Sequence, residues 1–357
     1  MRIGNTVITA RHATIMEALA RDLDFIIEPV NASKFDQIGY HFILGMDRSP
    51  ELIAERRILY AALSKVDFAP LKAAAASRAA IILAKAGAGP LDAVADYARP
   101  IAAQTASALF GIAPDDRETF MDAARAIFGN SFLNAGGDQS MSDRAVLAAN
   151  ILSEWFEEEI PKRRSGETRR ADLMNALIAS GASDDLVRRT LGGMLVGAID
   201  TTATCVAKVM AVLMSDQKLL HRATADRANP ALMSGWCNEA LRRWPHGPIL
   251  LRQAARDTIL EGVSIKAGDR VILWTEAAML DDQAFPEPHE LHPERPGAVY
   301  FHFGGGLHPC AGRSVNAWQI PMLIAGLLAH RPQRRGRIDW AGPFPASLPI
   351  TLAESNS

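Results

Sequence analysis

Cysteine is scarce in this chain: only Cys205, Cys237 and Cys310 occur in 357 positions, and they are widely spread. An odd, dispersed set builds no disulfide framework, which points to a reducing cytoplasm. An excess of one charge is missing too. Lys plus Arg number 38 and Asp plus Glu 40, a net charge of −2. That balance argues against a protein that coats nucleic acid or an anionic membrane. The longest apolar runs, Leu191–Ile199 and Ile320–Ala329, are nine and ten residues. They fall short of the roughly 20 needed to cross a bilayer. Met1–Thr6 leads into no long apolar segment, so no secretory signal is expected. What is present is 48% hydrophobic and 22% charged, the make-up of an ordinary soluble globular protein. At ~150 residues per domain the length suggests about two domains, although large single folds also reach this size.

The chain reads mostly as helix. Val7–Thr9 is a short β-like run, and a helical pattern follows from Thr14 to Leu23. Apolar spacings of three and four then predict helices at Glu51–Leu63, Leu71–Ala86, Leu91–Leu109, Asp115–Ile127, Ser142–Glu159 and Asp172–Ala179. Gly and Pro clusters such as Gly87–Pro90 punctuate them. From Ser183 to about Met214 runs the longest pattern, apolar almost all round, which predicts one buried helix of ~30 residues. Helices at Gln217–Arg227 and Leu232–Trp244 follow, the second stopped by Pro245. Strand patterns come next, at Ile249–Ala254, Thr258–Glu261 and Arg270–Trp274. A Pro-rich section, Asp281–Gly297, leads to a glycine cluster and a last helix beginning near Cys310. The expected fold is an α-rich α+β layout in one large domain, without the βαβ alternation of a Rossmann sheet.

Phe303-Gly304-Gly305-Gly306-Leu307-His308-Pro309-Cys310-Ala311-Gly312-Arg313 carries the most chemical information. Three glycines permit a tight backbone. Cys310 then falls at a helix start, where unpaired N–H groups lower a thiol's pKa. Such a sulfur suits a nucleophile, a redox switch or a metal ligand, and a buried structural cysteine is the plain alternative. A phosphate loop would need Gly-Lys-Ser/Thr, which is missing. No Cys-x-x-Cys-His occurs, so c-type haem attachment is excluded.

At these residues the chain resembles the cytochromes P450, whose haem signature is Phe-Gly-x-Gly-x-His-x-Cys-x-Gly. Phe303, Gly304, Gly306, His308, Cys310 and Gly312 match it without a gap. The resemblance implies the P450 fold over residues 1–357 and haem b with Cys310 as the axial thiolate. Thiolate donation favours O–O cleavage.

Three further constellations support the resemblance. Glu239 and Arg242 share a helix face at i and i+3 and, taken alone, read as a solvated pair worth less than ~1 kcal/mol. In the family a Glu-x-x-Arg here joins the Arg of a Pro-x-Arg segment, matched by Arg295, in a buried structural network. Gly197-Ala198-Ile199-Asp200-Thr201-Thr202 places costly polar residues in the apolar middle of the long helix. By itself this is a kink or packing patch, since Thr hydroxyls back-bond to the preceding turn. By resemblance Asp200 and Thr201 are the acid–alcohol pair that delivers protons, with Ala198 where a Gly is usual. Positive groups for the haem propionates would be Arg56, Arg252 and His308, with Leu52 replacing a usual His.

Further motifs are weaker. His289-Glu290-Leu291-His292 is one residue short of the zinc pattern His-Glu-x-x-His. The basic run Arg331–Arg337 reads as a solvated loop. The resemblance also leaves departures: the family's leading strand and A helix find no counterpart, Gln319 replaces a usual Glu, and Pro321 predicts a kink near Ala317.

The implied activity is a cytoplasmic monooxygenase inserting one oxygen atom from O2 into a small-to-medium apolar substrate. Separate redox proteins, a ferredoxin or flavodoxin and its reductase, would supply electrons, with Arg57 and Arg313 as docking cations. Ala198, Thr202, Gly247, Pro248 and Ile249 would line the substrate site. Neither nucleic acid nor membrane is expected as a partner. Two alternatives stay open: desaturation, coupling or peroxide-driven chemistry on the same fold, or a non-catalytic haem-thiolate sensor.

Overall fold

The computed structural model describes residues 1–112 and 116–353. Two compact units emerge, one of residues 1–30, 82–94 and 204–357, the other of residues 31–81 and 95–203.

The first unit holds the β structure. Its five-stranded sheet runs in the order Arg2–Ile3, Thr6–Thr9, Arg270–Leu273, Leu250–Ala254 and Phe25–Ile26. Thr6–Thr9 lies parallel to Arg270–Leu273, pairing Val7 with Val271, and the other pairs are antiparallel. Alternation decides which face is buried: Val7, Val271 and Leu273 are buried with Ile15, Leu19, Phe25, Phe285 and Phe301. Pro90–Asp92, Pro349–Thr351 and Gln333–Arg334 form a second sheet. Hairpins Thr258–Leu260/Val263–Ile265 and Asp339–Ala341/Phe344–Ser347 complete the β structure. Against this stand the helices Pro230–Arg243 and Arg313–Ala329, packed on each other. Asn229 caps the first through the N–H groups of Ala231 and Leu232, with Pro230 in the first turn. Its Gly235 meets the Pro293 carbonyl so closely that any β-carbon would collide.

The second unit is helical: Pro50–Leu63, most of Ala69–Ala86, Arg99–Phe110, Arg117–Leu133, Gln139–Arg164, Leu173–Ala179 and Asp184–Leu195. Ser49, Asp116, Asp138, Asp172 and Ser183 each accept a backbone N–H as N-caps. Arg117–Leu133 and Gln139–Arg164 pack as a hairpin, and the Tyr40 hydroxyl donates to the Ala149 carbonyl at 2.8 Å. Arg163 is buried because its guanidinium is satisfied, donating to Asp172 at 2.7 Å and to the Gly111 carbonyl at 2.6 Å.

Three sequence expectations are corrected. The 30-residue helix is broken: Asp184–Leu195 stops, Val196–Ile199 forms turns, and a new helix runs Asp200–Leu213. Leu91–Leu109 is not one helix. Pro90–Asp92 pairs with Pro349–Thr351, Ala93–Ala98 is a π-helical turn, and only Arg99–Phe110 is α-helical. The last helix begins at Arg313, three residues after Cys310. The helix expected from Asp115 is observed as Arg117–Leu133, and Asp115 itself lies outside the described residues. Asp184–Leu213 contains an 18-residue window with mean hydropathy 1.5, apolar enough for a membrane span, but 78% of that window is buried, as in a core helix.

Candidate functional site

In the first unit the residues before Cys310 coil tightly. Gly304 N–H donates to the Phe301 carbonyl at 2.8 Å, His308 N–H to Gly305 at 3.3 Å and Cys310 N–H to Phe303 at 2.8 Å. Gly304 and Gly306 adopt φ of +67° and +64°, a region that side-chain-bearing residues seldom enter. Gly306 is further committed because a β-carbon there would collide with the Leu19 carbonyl. The same coil turns the Cys310 sulfur toward the N–H groups of Gly312 and Arg313.

Cys310 corrects the expectation of a simply acidified thiol. Burial pushes it up, and the Gly312 and Arg313 N–H groups, with the Arg313 charge, oppose that only in part. A sulfur of this kind becomes a thiolate when a cation binds it, since metal coordination deprotonates a thiol outright. Among the described residues no group of three or more His, Cys, Asp or Glu side chains is placed to hold a metal ion. Cys310 is thus a single candidate metal ligand, with the N–H groups of Gly312 and Arg313 behind its sulfur. A cavity of about 540 Å³ opens beside the loop, lined among others by Cys237, Asn238, His302, Phe303 and Arg313.

Glu239, Arg242 and Arg295 meet in the same unit. Arg242 donates from Nε and Nη2 to the two Glu239 oxygens, each at 3.0 Å. Arg295 adds bonds of 3.2 and 3.3 Å. Tyr300 Oη donates to Glu239 Oε1 at 2.9 Å and the His292 N–H to Oε2 at 3.1 Å. Burial alone would raise the Glu239 carboxyl, yet these donors hold it below the usual carboxylate range. Arg242 also donates to the carbonyls of Met279, Pro288 and Glu290 at 2.9, 2.7 and 2.8 Å. The segment His289–His292, weighed from its sequence as a weak zinc motif, thus meets this network through its backbone.

Elsewhere in this unit Arg252 is buried and donates to the Leu251 carbonyl at 2.7 Å. Gly247 and Pro248 are fixed by Thr275, whose hydroxyl lies 3.0 Å from the Pro248 carbonyl, and by the Glu276 N–H donating to the same oxygen. Ile249 is exposed. Gln319 is buried within Arg313–Ala329, the helix that also contains Pro321.

In the second unit Asp200 opens its helix at 5% exposure. Its Oδ1 accepts from Arg99 Nε at 2.9 Å, while Oδ2 is buried without a hydrogen-bond partner among the described residues. The helix break beside it has a local cause. Thr201 Oγ1 donates to the Gly197 carbonyl and Thr202 Oγ1 to the Ala198 carbonyl at 3.0 Å, taking acceptors that a continuous helix would use. Arg56 lies over the Tyr60 ring at 5.0 Å, and Leu52 is fully buried.

Sequence reasoning missed Arg99, Tyr300 and Lys208. Nothing local marks Arg99 or Tyr300. Lys208, a lone cation in the apolar stretch Val206–Met210, was a visible signal.

A fold of this kind and a sulfur so presented define a haem-thiolate protein. The family model for cytochrome P450 matches residues 133–330, more than half of the chain. This chain belongs to the cytochrome P450 family. It is 29% identical over 279 residues to nocardicin C N-oxygenase of Nocardia uniformis subsp. tsuyamanensis, covering 73% of this chain and 67% of that protein. Steroid C26-monooxygenase of Mycolicibacterium smegmatis is 24% identical over 338 residues, 90% of this chain and 81% of that one. The chain spans 58–67% of the length of the first four curated relatives it matches. Among solved structures, CalO2 superposes with a TM-score of 0.83 at 21% identity, covering 98% and 91% of the two chains. Open EryK from S. erythraea gives 0.83 at 22% identity, covering 98% and 91%. Family membership implies haem b with an axial cysteine thiolate and O2 as co-substrate.

Proposed function

We propose that this chain is a cytoplasmic monooxygenase that inserts one oxygen atom from O2 into a small-to-medium apolar substrate, as a single P450 catalytic domain. The observation that carries this reading is the Cys310 sulfur at the end of the glycine-rich coil, with the Gly312 and Arg313 N–H groups directed at it. Relatives named for oxygen insertion, an N-oxygenase and steroid monooxygenases, support it.

Haem, when bound, supplies the oxidising chemistry. Cys310 would be its ligand, and Phe303, Gly304, His308 and Gly312 shape the loop around it. Arg56, Arg252 and His308 would meet its carboxylates. Glu239, Arg242 and Arg295 brace the segments before the loop. Asp200 and Thr201 would relay protons. Arg99 holds Oδ1 of the carboxylate, leaving Oδ2 to receive a proton from solvent and give it up again. The Thr201 hydroxyl, once off the Gly197 carbonyl, would hand its own proton toward the site and be reprotonated from Asp200. Ala198, Thr202, Gly247, Pro248 and Ile249 line the substrate space. Electrons come from a separate ferredoxin or flavodoxin and its reductase, with exposed Arg57 and Arg313 suited to an acidic partner.

The test is the visible spectrum of dithionite-reduced protein with and without carbon monoxide, in wild type and Cys310→Ser. The expected result is the red-shifted band that gives the family its name, lost in the variant. Folded wild-type protein that takes up no haem would sink the proposal.

A further inference from the structure

Lys208 is only 2% exposed, in the helix Asp200–Leu213. A buried ammonium ordinarily has a carboxylate partner, yet among the described residues Lys208 forms no ion pair. Glu276 is the one carboxylate whose charge reaches it appreciably, with Cys205 and His246 the other titratable groups nearby. Its Nζ instead donates to the carbonyls of Pro245 at 2.7 Å and His246 at 3.2 Å. It also lies 5.5 Å from the centre of the Trp244 ring and 5.8 Å from that of Phe344, where ring quadrupoles attract a cation.

These contacts join three segments of the first unit. His246 stacks on Phe344 at 4.6 Å and 26°, and its Nδ1 shares a 3.0 Å hydrogen bond with Thr204 Oγ1. Trp244 packs against Trp340 with ring centres 5.1 Å apart. Phe344 and Trp340 stand on the two strands of the hairpin Asp339–Ala341/Phe344–Ser347. Gly247 and Pro248, next in the chain, are held through their own carbonyls by Thr275.

We propose that Lys208 is a specificity-determining positioning residue: it ties the Pro245–Ile249 turn and the Phe344 hairpin to the helix Asp200–Leu213, fixing the turn as a rigid wall of the substrate site. This rests on the reading above that Gly247–Ile249 lines that site. Two carbonyls need two donors. The ammonium supplies them with a hydrogen to spare, and no apolar side chain supplies either. Burying a charge without a counter-ion is costly, and the fold keeps it where it fixes backbone that faces the ligand. Loosening this wall should change which ligand shapes fit while sparing the metal site.

The experiment uses the full-length haem-loaded protein as wild type, Lys208→Met and Lys208→Gln, with binding of imidazole and of 4-phenylimidazole followed by the haem absorption shift. Near-ultraviolet circular dichroism follows the Trp244–Trp340 pair independently of haem. In Lys208→Met the ratio of the two dissociation constants should change roughly tenfold while imidazole affinity stays as in wild type, and the dichroism should weaken. Lys208→Gln, which keeps a donor, should fall between. Unchanged ratios in Lys208→Met despite altered dichroism would overturn the proposal, as would a Gln variant no closer to wild type than Met. A wild type with intact dichroism that gives no imidazole shift would overturn the haem reading instead.

Discussion

Glu239 and Asp200 are both buried carboxylates held by arginine, and they are satisfied in opposite ways. Both oxygens of Glu239 are filled, by Arg242, Arg295, Tyr300 and the His292 N–H. Asp200 has one oxygen on Arg99 and the other buried without a hydrogen-bond partner among the described residues. A saturated carboxylate has no lone pair left for chemistry and rigidifies what surrounds it. A half-satisfied one is costly to keep, and it is the kind of group that can receive and release a proton. On the proposed reading, Glu239 is the brace and Asp200 the working residue.

The sharpest way to break that comparison is to remove the brace. Glu239→Ala leaves Arg242 and Arg295, with side chains 0% and 7% exposed, as buried cations without a counter-ion. The expected loss is about 3–5 kcal/mol, a large part of a typical total of ~5–15 kcal/mol. Denaturant unfolding should show a much lower midpoint and haem uptake should fall. An unchanged midpoint would mean the network is dispensable.

Asp200→Asn should lower turnover roughly 10²-fold, and it should also cost stability, because it leaves the buried Arg99 guanidinium without a counter-ion. Arg99→Gln should destabilise as well, because it leaves the Asp200 carboxylate unpaired. The double variant should recover most of that loss, since neither charge remains. Additive destabilisation in the three unfolding curves would show that the 2.9 Å contact couples nothing.

Acid titration tests the brace from its other side. The Glu239 carboxyl is depressed in the folded protein relative to its ordinary 4.5. Its contribution is therefore complete above about pH 4.5 and lost as pH falls through the lower, folded value. Unfolding free energy measured from pH 6 downward should drop less steeply in Glu239→Gln than in wild type. Equal slopes would count against a depressed carboxyl.

The sulfur loop was legible because it requires glycine at Gly304 and Gly306, where φ is positive. The brace was legible only through the family resemblance: spacing put Glu239 and Arg242 on one helix face but alone read as a solvated pair, and Arg295 stands 56 positions away. Arg99 was not legible, because its partner stands 101 positions away and no spacing announces the pair. Leu91 resembles helix for the same reason: its pairing with Ile350 is wholly non-local. The break at Val196–Ile199 was half legible. The threonines announced hydroxyls bonding back along the helix, but periodicity alone continued the helix through them.

Lys208 sharpens the comparison with a third case, a buried charge that has donors' work but no opposite charge. Burial lowers its pKa from the ordinary 10.5 to about 8. A lysine depressed in this way binds its proton more tightly when unfolded, so between about pH 8 and 10.5 the unfolded chain holds more protons. Stability contributed by this group must then rise with pH across that window, by on the order of 1–3 kcal/mol. The neutral amine still carries two N–H groups, enough for the carbonyls of Pro245 and His246, so deprotonation relieves the charge and keeps the tie. Wild type minus Lys208→Met in unfolding free energy should therefore grow between pH 8 and 10. A flat or falling difference would mean that the ammonium is compensated in the fold and that its burial costs little.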